Sequence, residues 1–311
     1  MLCANPWTNA GGAPFSCGRC VPCRINRREI WTHRILLEAL DNSDSCFVTL
    51  TLDSQNLRSR DGQKVLDTQD PRTASLQPKD LQNFVKRLRQ EIAPKRIRFY
   101  AVGEYGDKHE RPHYHLALFG YHGCIRGQTK RDTRNRPVAD RCCSGCSTLQ
   151  SVWNLGDVDI GMLEPKSAAY LCGYLNKGLT KNDDKRLEGR HPEFSRMSNR
   201  PGIGKGAMWQ IASQLMEHGV DDEIPTHLMH GTKKRPLGRY LRHQLADMCG
   251  HTGEKKKRLL YDEEEKVFEL RQAAKESSEF PTTKSQVLRQ NEGKRRSVIK
   301  RHDIFKRRLS I

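Results

Sequence analysis

His113 and His115 stand two apart in the run Arg111-Pro112-His113-Tyr114-His115-Leu116-Ala117-Leu118-Phe119, whose apolar and aromatic remainder has the composition of a buried strand. Alternate side chains of a strand share a face, so the two imidazoles point one way while Tyr114 and Leu116 point the other. Two histidines so placed can grip one divalent ion. A bare His-x-His also suits an ordinary polar strand face, so the neighbouring residues have to decide. Upstream lies a second apolar and aromatic run, Arg98-Phe99-Tyr100-Ala101-Val102-Gly103-Glu104-Tyr105-Gly106, joined to the first by the turn-rich Asp107-Lys108-His109-Glu110-Arg111-Pro112. The two read as an antiparallel hairpin. Pairing brings Glu104 roughly opposite His113 or His115, on their face in either register. Glu104, His113 and His115 then make a two-imidazole, one-carboxylate set. It suits Mg²⁺ or Mn²⁺ bound partly through a phosphate oxygen, although histidine also accepts Zn²⁺ or Ni²⁺. Glu110, in the turn, is the alternative third ligand.

A second constellation lies in Ser167-Ala168-Ala169-Tyr170-Leu171-Cys172-Gly173-Tyr174-Leu175-Asn176-Lys177-Gly178, a helix-like stretch with Ser167 as its cap and Gly178 as its stop. Tyr170, Tyr174 and Lys177 fall on one face at i, i+4 and i+7. Alone, such a face is that of two core tyrosines on an amphipathic helix. Beside a metal-holding strand it presents two nucleophilic phenols and an ammonium. A phenol titrates near pH 10, so at neutral pH it needs charge stabilisation from its surroundings to attack anything.

These residues must be held by the elements around them. A basic helix over residues 27–40 precedes a strand over 47–53. A helix over 78–92 follows, with Pro78 in its first turn and Leu81, Phe84, Val85, Leu88 and Ile92 on one stripe. Then come the hairpin of residues 99–120, a basic loop, a short helix near 149–153, a strand through 158–163, and the tyrosine helix. This order predicts an α+β fold, a central antiparallel sheet of about five strands with flanking helices, ferredoxin-like or RRM-like in its core. The histidine strand is expected at the centre, because Leu116, Leu118 and Phe119 make it apolar on both faces beyond the histidines.

The strand Phe47-Val48-Thr49-Leu50-Thr51-Leu52-Asp53, the run Arg111-Pro112-His113-Tyr114-His115 preceded by Gly103-Glu104-Tyr105-Gly106, and Tyr170-Leu171-Cys172-Gly173-Tyr174-Leu175-Asn176-Lys177 together resemble the three ordered motifs of the HUH endonucleases. Within that superfamily the chain is similar to the rolling-circle replication initiators of single-stranded DNA phages, the gokushovirus-like Microviridae in particular. Those proteins also show a stretch like Cys17-Gly18-Arg19-Cys20-Val21-Pro22-Cys23 before a basic helix. The resemblance covers most of residues 1–210. It implies a metal-dependent, site-specific nickase in which His113, His115 and Glu104 hold Mg²⁺ or Mn²⁺ and Tyr170 or Tyr174 attacks the DNA, with Lys177 assisting electrostatically. It further implies a protein held on the 5′ phosphate, a free 3′-hydroxyl primer, and rejoining after one round, when the second tyrosine is free to attack.

Exchange of a phosphodiester for a phosphotyrosine ester is nearly isoenergetic, so joining needs no nucleotide hydrolysis. Pro201-Gly202-Ile203-Gly204-Lys205-Gly206 lacks the spacing and the Lys-Ser/Thr pair of a phosphate-binding loop and reads as a turn, whose glycine amides and Lys205 could touch a DNA phosphate. The implied partners are single-stranded DNA and phage replicative-form DNA at the origin, with host helicase and DNA polymerase. Two alternatives share parts of this pattern: an HUH relaxase or transposase acting in DNA mobilisation, and a noncatalytic zinc-containing nucleic-acid-binding protein.

Composition agrees with a polyanionic partner. The 311 residues contain 55 Lys+Arg against 37 Asp+Glu, a formal net charge of +18, with a pI of about 9.6 and mean hydropathy of −0.79. Ribosomal and architectural proteins are as basic, so charge alone does not select a nuclease. No apolar run reaches the length of a membrane span and Met1-Leu2-Cys3-Ala4-Asn5-Pro6 is not a signal peptide, so the expected location is the host bacterial cytoplasm, away from membranes. The expected organisation is an N-terminal Cys-containing segment and basic helix (1–45), a nickase core (46–210) with a Cys/Arg-rich insertion at about 121–147, a peripheral helical region (211–250), and a basic, helical or partly disordered tail (251–311).

Eleven cysteines in such a chain point to reduced thiols and metal binding rather than disulfides. Cys17-x-x-Cys20-x-x-Cys23 and Cys142-Cys143-x-x-Cys146 each contain a C-x-x-C unit. Two uses stand side by side: one structural Zn²⁺ held jointly by Cys17, Cys20, Cys143 and Cys146, with Cys23 and Cys142 as substitutes, or ordinary reduced cysteines. Cys46, Cys124, Cys172 and Cys249 are expected to pack as small apolar residues. Lys86, Arg87 and Arg89 read as a solvated helix face. The loop of residues 126–136, with Lys130, Arg131 and Arg134, is the better candidate for phosphate contacts, and Trp153 and Trp209 read as core or interface.

Overall fold

The structure, a computed structural model, describes residues 2–8, 14–65, 73–107, 109–173, 182–260 and 283–309. In chain order its elements are β1 (Trp7–Thr8), β2 (Pro14–Phe15), α1 (Val21–Asp41), β3 (Ser45–Thr51), α2 (Pro78–Glu91), β4 (Arg98–Tyr105), β5 (Pro112–Phe119), α3 (Ser144–Trp153), β6 (Val158–Met162), α4 (Pro165–Gly173), β7 (Phe194–Met197), α5 (Met208–Glu217), β8 (His227–His230), β9 (Lys233–Pro236) and α6 (Gly238–Met248). Helices over Thr283–Gln290 and Glu292–Leu309 follow. The chain divides into two units, one of residues 1–31 with 208–311, the other of residues 32–207.

In the unit of residues 32–207 the expected α+β architecture is present: a five-stranded antiparallel sheet in the order β6-β3-β5-β4-β7, with helices beside it. The histidine strand β5 is the central one, flanked by β3 and β4. Its run from Tyr114 to Phe119 is buried throughout, which only a central strand covered on both faces can satisfy. The two faces separate by pleat. Val48, Leu50, Tyr114, Leu116, Leu118 and Ile160 join Leu81, Phe84, Val85 and Leu88 of α2 and Leu149, Val152 and Trp153 of α3 in one apolar core. The opposite face carries Phe47, Thr49, His113 and His115, and α4 lies over it, with Tyr170 against Phe47 and His115.

Hydroxyls on the core face fasten the start of α2. Pro78 opens that helix and its N-cap residue, Gln77, makes no side-chain cap. Instead the Gln77 N–H donates to Tyr114 Oη at 3.0 Å, and Tyr114 Oη donates to the Gln77 carbonyl at 3.0 Å. One residue earlier the Leu76 N–H donates to Tyr105 Oη at 3.2 Å. Trp153 belongs to the core as its composition predicts: it is fully buried, edge-on to Phe84 and Tyr114, and its indole N–H donates to the Thr51 carbonyl at 2.7 Å.

Three helices differ from expectation at their starts. α1 begins at Val21 and α3 at Ser144, both directly after or within a cysteine cluster. α4 begins at Pro165, whose fixed φ suits a first turn. Ser167 is therefore inside the helix rather than its cap, and its hydroxyl accepts from the Glu164 N–H at 2.8 Å. The expected stop at Gly178, together with Tyr174 and Lys177, lies outside the described residues.

In the other unit, β1 pairs with β2 and stacks Trp7 on Phe15, with ring centroids 4.7 Å apart. β8 and β9 form a hairpin whose Lys233 and Arg235 both reach Glu29 Oε2, at 2.9 and 3.3 Å. Among the described residues no helix is long and apolar enough to cross a membrane.

Candidate metal centre and tyrosine face

The β4–β5 hairpin sets the register that builds the site. The Gly106 N–H donates to the Arg111 carbonyl at 3.0 Å, and the Glu110 N–H to the Gly106 carbonyl at 2.9 Å, with Glu110 at φ 47°. Glu104 thereby falls directly across from His113, while His115 pairs with Val102. One carboxylate oxygen, Glu104 Oε1, lies 2.8 Å from His113 Nε2 and 3.0 Å from His115 Nε2. Glu104 is 1% exposed and His115 5%, whereas His113 is half-buried, so the set opens to solvent on one side. Glu110, the alternative ligand, turns away and its Oε2 accepts from Arg190 Nη2 at 2.7 Å.

Hydrogen bonds on the far side of each ring decide what the near nitrogen can do. The Arg111 carbonyl can only accept, so His113 Nδ1, at 3.0 Å from it, carries the proton. In a neutral His113 the Nε2 lone pair then faces Glu104 Oε1, acceptor against acceptor. His115 Nδ1 meets the Thr49 hydroxyl at 2.9 Å, which fixes its ring with Nε2 toward the same oxygen. His115 can donate from Nε2 to Glu104 while Nδ1 accepts from Thr49, whereas His113 Nε2 meets the same oxygen only with a second proton on the ring or with a metal ion between them. Burial alone would raise the Glu104 carboxyl, but hydrogen bonds and charge from His113 and His115 outweigh it and hold it down to about 2. The donor chemistry of two imidazoles and a carboxylate, each ring oriented by a partner behind it, fits a divalent ion with further positions open to oxygen ligands.

Tyr170 stands at the edge of this set. Its ring is T-shaped to His115, centroids 5.4 Å apart, and to Phe47 at 6.3 Å, and the residue is 53% exposed. Ala168, Leu171 and Cys172 on the other side of α4 are buried and seat the helix. A phenol is thus held beside the carboxylate–imidazole set with its outer half in solvent.

Residues 45–179 match the sequence profile of a family of replication-associated proteins, the one described by its ORF2 members. The chain is similar to viral replication-associated proteins. It is 26% identical over 212 residues to Replication-associated protein VP4 of Bdellovibrio phage phiMH2K, an alignment covering 66% of this chain and 61% of the relative. Replication-associated protein ORF2 of Spiroplasma virus 4 is 30% identical over 192 residues, covering 60% of this chain and 55% of the relative. For Replication-associated protein ORF4 of Chlamydia phage 1 the values are 27% over 175 residues, 53% and 38%. The chain therefore spans from 38% to 61% of the lengths of these relatives. No solved structure matches it. The segment shared with the family runs from β3 past the end of α4, and so contains Glu104, His113, His115 and Tyr170 together.

The cysteines gather in two sets of four. The structure completes each C-x-x-C unit inside its own part of the chain: Cys17, Cys20 and Cys23 gather with Cys3, and Cys142, Cys143 and Cys146 gather with Cys124. In each case a cysteine from a neighbouring loop supplies the fourth sulfur. Cys124 is consequently no mere apolar filler, unlike Cys46 and Cys172, which are buried in the fold.

Of the basic candidates, Arg131 is engaged by Asp159 and by the Asn135 carbonyl, and Arg87 Nη2 donates to the Trp153 carbonyl. Lys130 and Arg134 remain exposed in the loop. The Gly204 amide donates to Glu38 Oε2 at 2.6 Å, which commits it to the fold rather than to a phosphate. Thr49 and Phe47, which orient His115 and line its ring, escaped the sequence reading. Their signal is positional: β3 pairs with β5 so that Thr49 lies across from His115, and a threonine beside a ligand histidine is a hydrogen-bonding partner once that register is known.

Proposed function

We propose that the chain initiates rolling-circle replication of a phage genome as a metal-dependent endonuclease that nicks one DNA strand with a tyrosine. The observation that carries this reading is the placement of Tyr170, half in solvent, edge-on to His115 at 5.4 Å beside the Glu104, His113 and His115 set. The similarity to proteins named as replication-associated, over a segment containing all four residues, supports the replicative role over mobilisation by a relaxase or transposase. A noncatalytic zinc-containing nucleic-acid-binding protein would leave the converging imidazoles and carboxylate without a purpose.

In this reading Glu104, His113 and His115 hold Mg²⁺ or Mn²⁺, and the ion when bound supplies charge stabilisation to the nonbridging oxygens of the scissile phosphate. Thr49 and the Arg111 carbonyl keep both rings turned so that Nε2 faces the site. The phenol oxygen of Tyr170 attacks phosphorus in line. The new bond is Tyr Oη–P, the bond broken is P–O3′, the phenol proton leaves to solvent, and the departing 3′ oxygen takes up a proton to become a hydroxyl primer. Phosphate remains esterified to the protein and to the 5′ end. Tyr174 serves as the second nucleophile for rejoining and Lys177 as an electrostatic aid, both as the resemblance implies. Single-stranded DNA and replicative-form DNA are the substrates, and host helicase and polymerase the partners that open and copy the strand.

Incubation of the protein with Mn²⁺ or Mg²⁺ and a pool of labelled single-stranded oligonucleotides should give a denaturant-resistant protein–DNA adduct. The pair Tyr170→Phe with Tyr174→Phe should give none, and His113→Ala with His115→Ala should lower the yield by at least about 100-fold, the scale lost with a single transition-state charge stabiliser. An adduct that persists in the tyrosine pair would remove the nucleophile assignment. Unchanged yield in the histidine pair would remove the metal centre.

A further inference from the structure

The two cysteine clusters share no residue with the carboxylate–imidazole set and call for their own ligand. In the first, Cys17 Sγ lies 4.0 Å from Cys23 Sγ and Cys20 Sγ 3.8 Å from Cys3 Sγ. In the second, Cys124 Sγ is 3.7 Å from Cys142 Sγ and 4.0 Å from Cys143 Sγ, and Cys143 Sγ is 3.5 Å from Cys146 Sγ. Within each cluster all four sulfurs fall within 4.8 Å of one another. Four thiolates at about 2.3 Å from a tetrahedral zinc ion have sulfur–sulfur edges of about 3.8 Å, which these separations match. A disulfide pairs two sulfurs at about 2.05 Å and leaves no reason for four to converge.

Backbone donors support the same reading. The N–H groups of Asn5 and Cys17 point at Cys3 Sγ at 3.4 and 3.3 Å, that of Ala4 at Cys20 Sγ at 3.3 Å, and that of Cys20 at Cys17 Sγ at 3.4 Å. In the second cluster the Lys130 N–H points at Cys142 Sγ at 3.2 Å, and Cys143 occupies the N-cap position of α3, where the helix end favours a thiolate. Amides aimed at sulfur stabilise the anionic ligand form, a service that neutral thiols packed as small apolar groups do not need. Cys17, Cys20, Cys142 and Cys143 are moreover only half-buried, which is not how apolar filler is placed. Each cluster also gathers chain with little regular structure. Among the described residues, the segment before α1 has only two-residue strands, and the insertion between β5 and α3 has an isolated bridge, Arg131 to Pro137, and a 3-10 turn over Ala139–Arg141. Short segments of this kind commonly draw stability from a metal.

We propose that the chain carries two independent structural Zn²⁺ sites, one formed by Cys3, Cys17, Cys20 and Cys23 and one by Cys124, Cys142, Cys143 and Cys146. This does not depend on the proposed nicking reaction. The test uses full-length protein in the His113→Ala, His115→Ala background, so that zinc cannot report the carboxylate–imidazole set. Metal analysis after gel filtration should find two zinc per chain. The pair Cys20→Ser, Cys23→Ser should retain one, the pair Cys143→Ser, Cys146→Ser should retain one, and the combination none. Zinc-free protein would overturn the proposal, and so would a single zinc that disappears with either pair, since that is the signature of one shared site. Should a serine variant fail to fold, alkylation of the unsubstituted protein decides: the eight named thiols should be protected until a chelator is added, while equal reactivity with and without chelator would overturn the assignment. Cobalt titrated into the apoprotein should develop tetrahedral thiolate bands that saturate at two equivalents, and saturation at one would count against it.

Discussion

At the scale of single residues, the decisive group is Glu104, whose one oxygen is shared by two imidazole nitrogens at 2.8 and 3.0 Å. The hairpin turns Glu110 instead toward Arg190. The two carboxylates, six residues apart in sequence, should therefore respond differently to the same substitution. Glu104→Gln should weaken Mn²⁺ binding by more than about 10-fold, since losing even an outer partner of a ligand costs about 10- to 100-fold. Glu110→Gln should leave it within about twofold, inside the ordinary scatter of a surface substitution. Calorimetric titration of both variants with Mn²⁺ checks this, and equal losses would mean that the third ligand has been misassigned.

At the scale of elements, β5 serves both faces of the sheet. His113 and His115 face the site, and Tyr114 between them fastens the start of α2 through two hydrogen bonds to Gln77. Tyr114→Phe leaves a buried N–H and carbonyl without their partner, a loss of about 1–3 kcal/mol. The urea midpoint should fall accordingly, while adduct formation by protein that is still folded should be unchanged, because the hydroxyl is on the far face of the sheet. A normal midpoint would show that the α2 start is held by other contacts. The order of strands and helices as far as α4, the hairpin and the central place of β5 were legible because apolar periodicity and turn residues are local signals, whereas the short edge strand β7 was not marked. What was not legible depended on register or on loops. Thr49 becomes a partner of His115 only through the β3–β5 pairing, and Cys3 and Cys124 complete their clusters from segments without any motif. The start of α4 was misplaced for a related reason. Ser167 has the composition of a cap, but Pro165 opens the helix a residue pair earlier, so composition and position pointed to different boundaries.

At the scale of the whole molecule, 55 Lys+Arg against 37 Asp+Glu make the chain a polycation, with a formal net charge of +18. Part of that charge is paired within the fold, as Arg131 with Asp159 and Arg190 with Glu110 show, so DNA affinity should come from exposed groups such as Lys130 and Arg134. Affinity for a single strand should then fall with salt, with a log–log slope of about −0.7 for each phosphate neutralised. This term is independent of the chemistry at Glu104, His113 and His115. Without added metal, the His113→Ala, His115→Ala protein should bind a labelled oligonucleotide within about threefold of the unsubstituted protein and with the same salt slope, because the phosphate contacts are made elsewhere. The two properties separate cleanly in one set of samples: fluorescence anisotropy across a salt series reads the polycation, and the denatured adduct in the same tubes reads the site. A salt slope that collapsed along with the adduct would place the principal phosphate contacts at the metal centre itself, and the basic loop would lose its role.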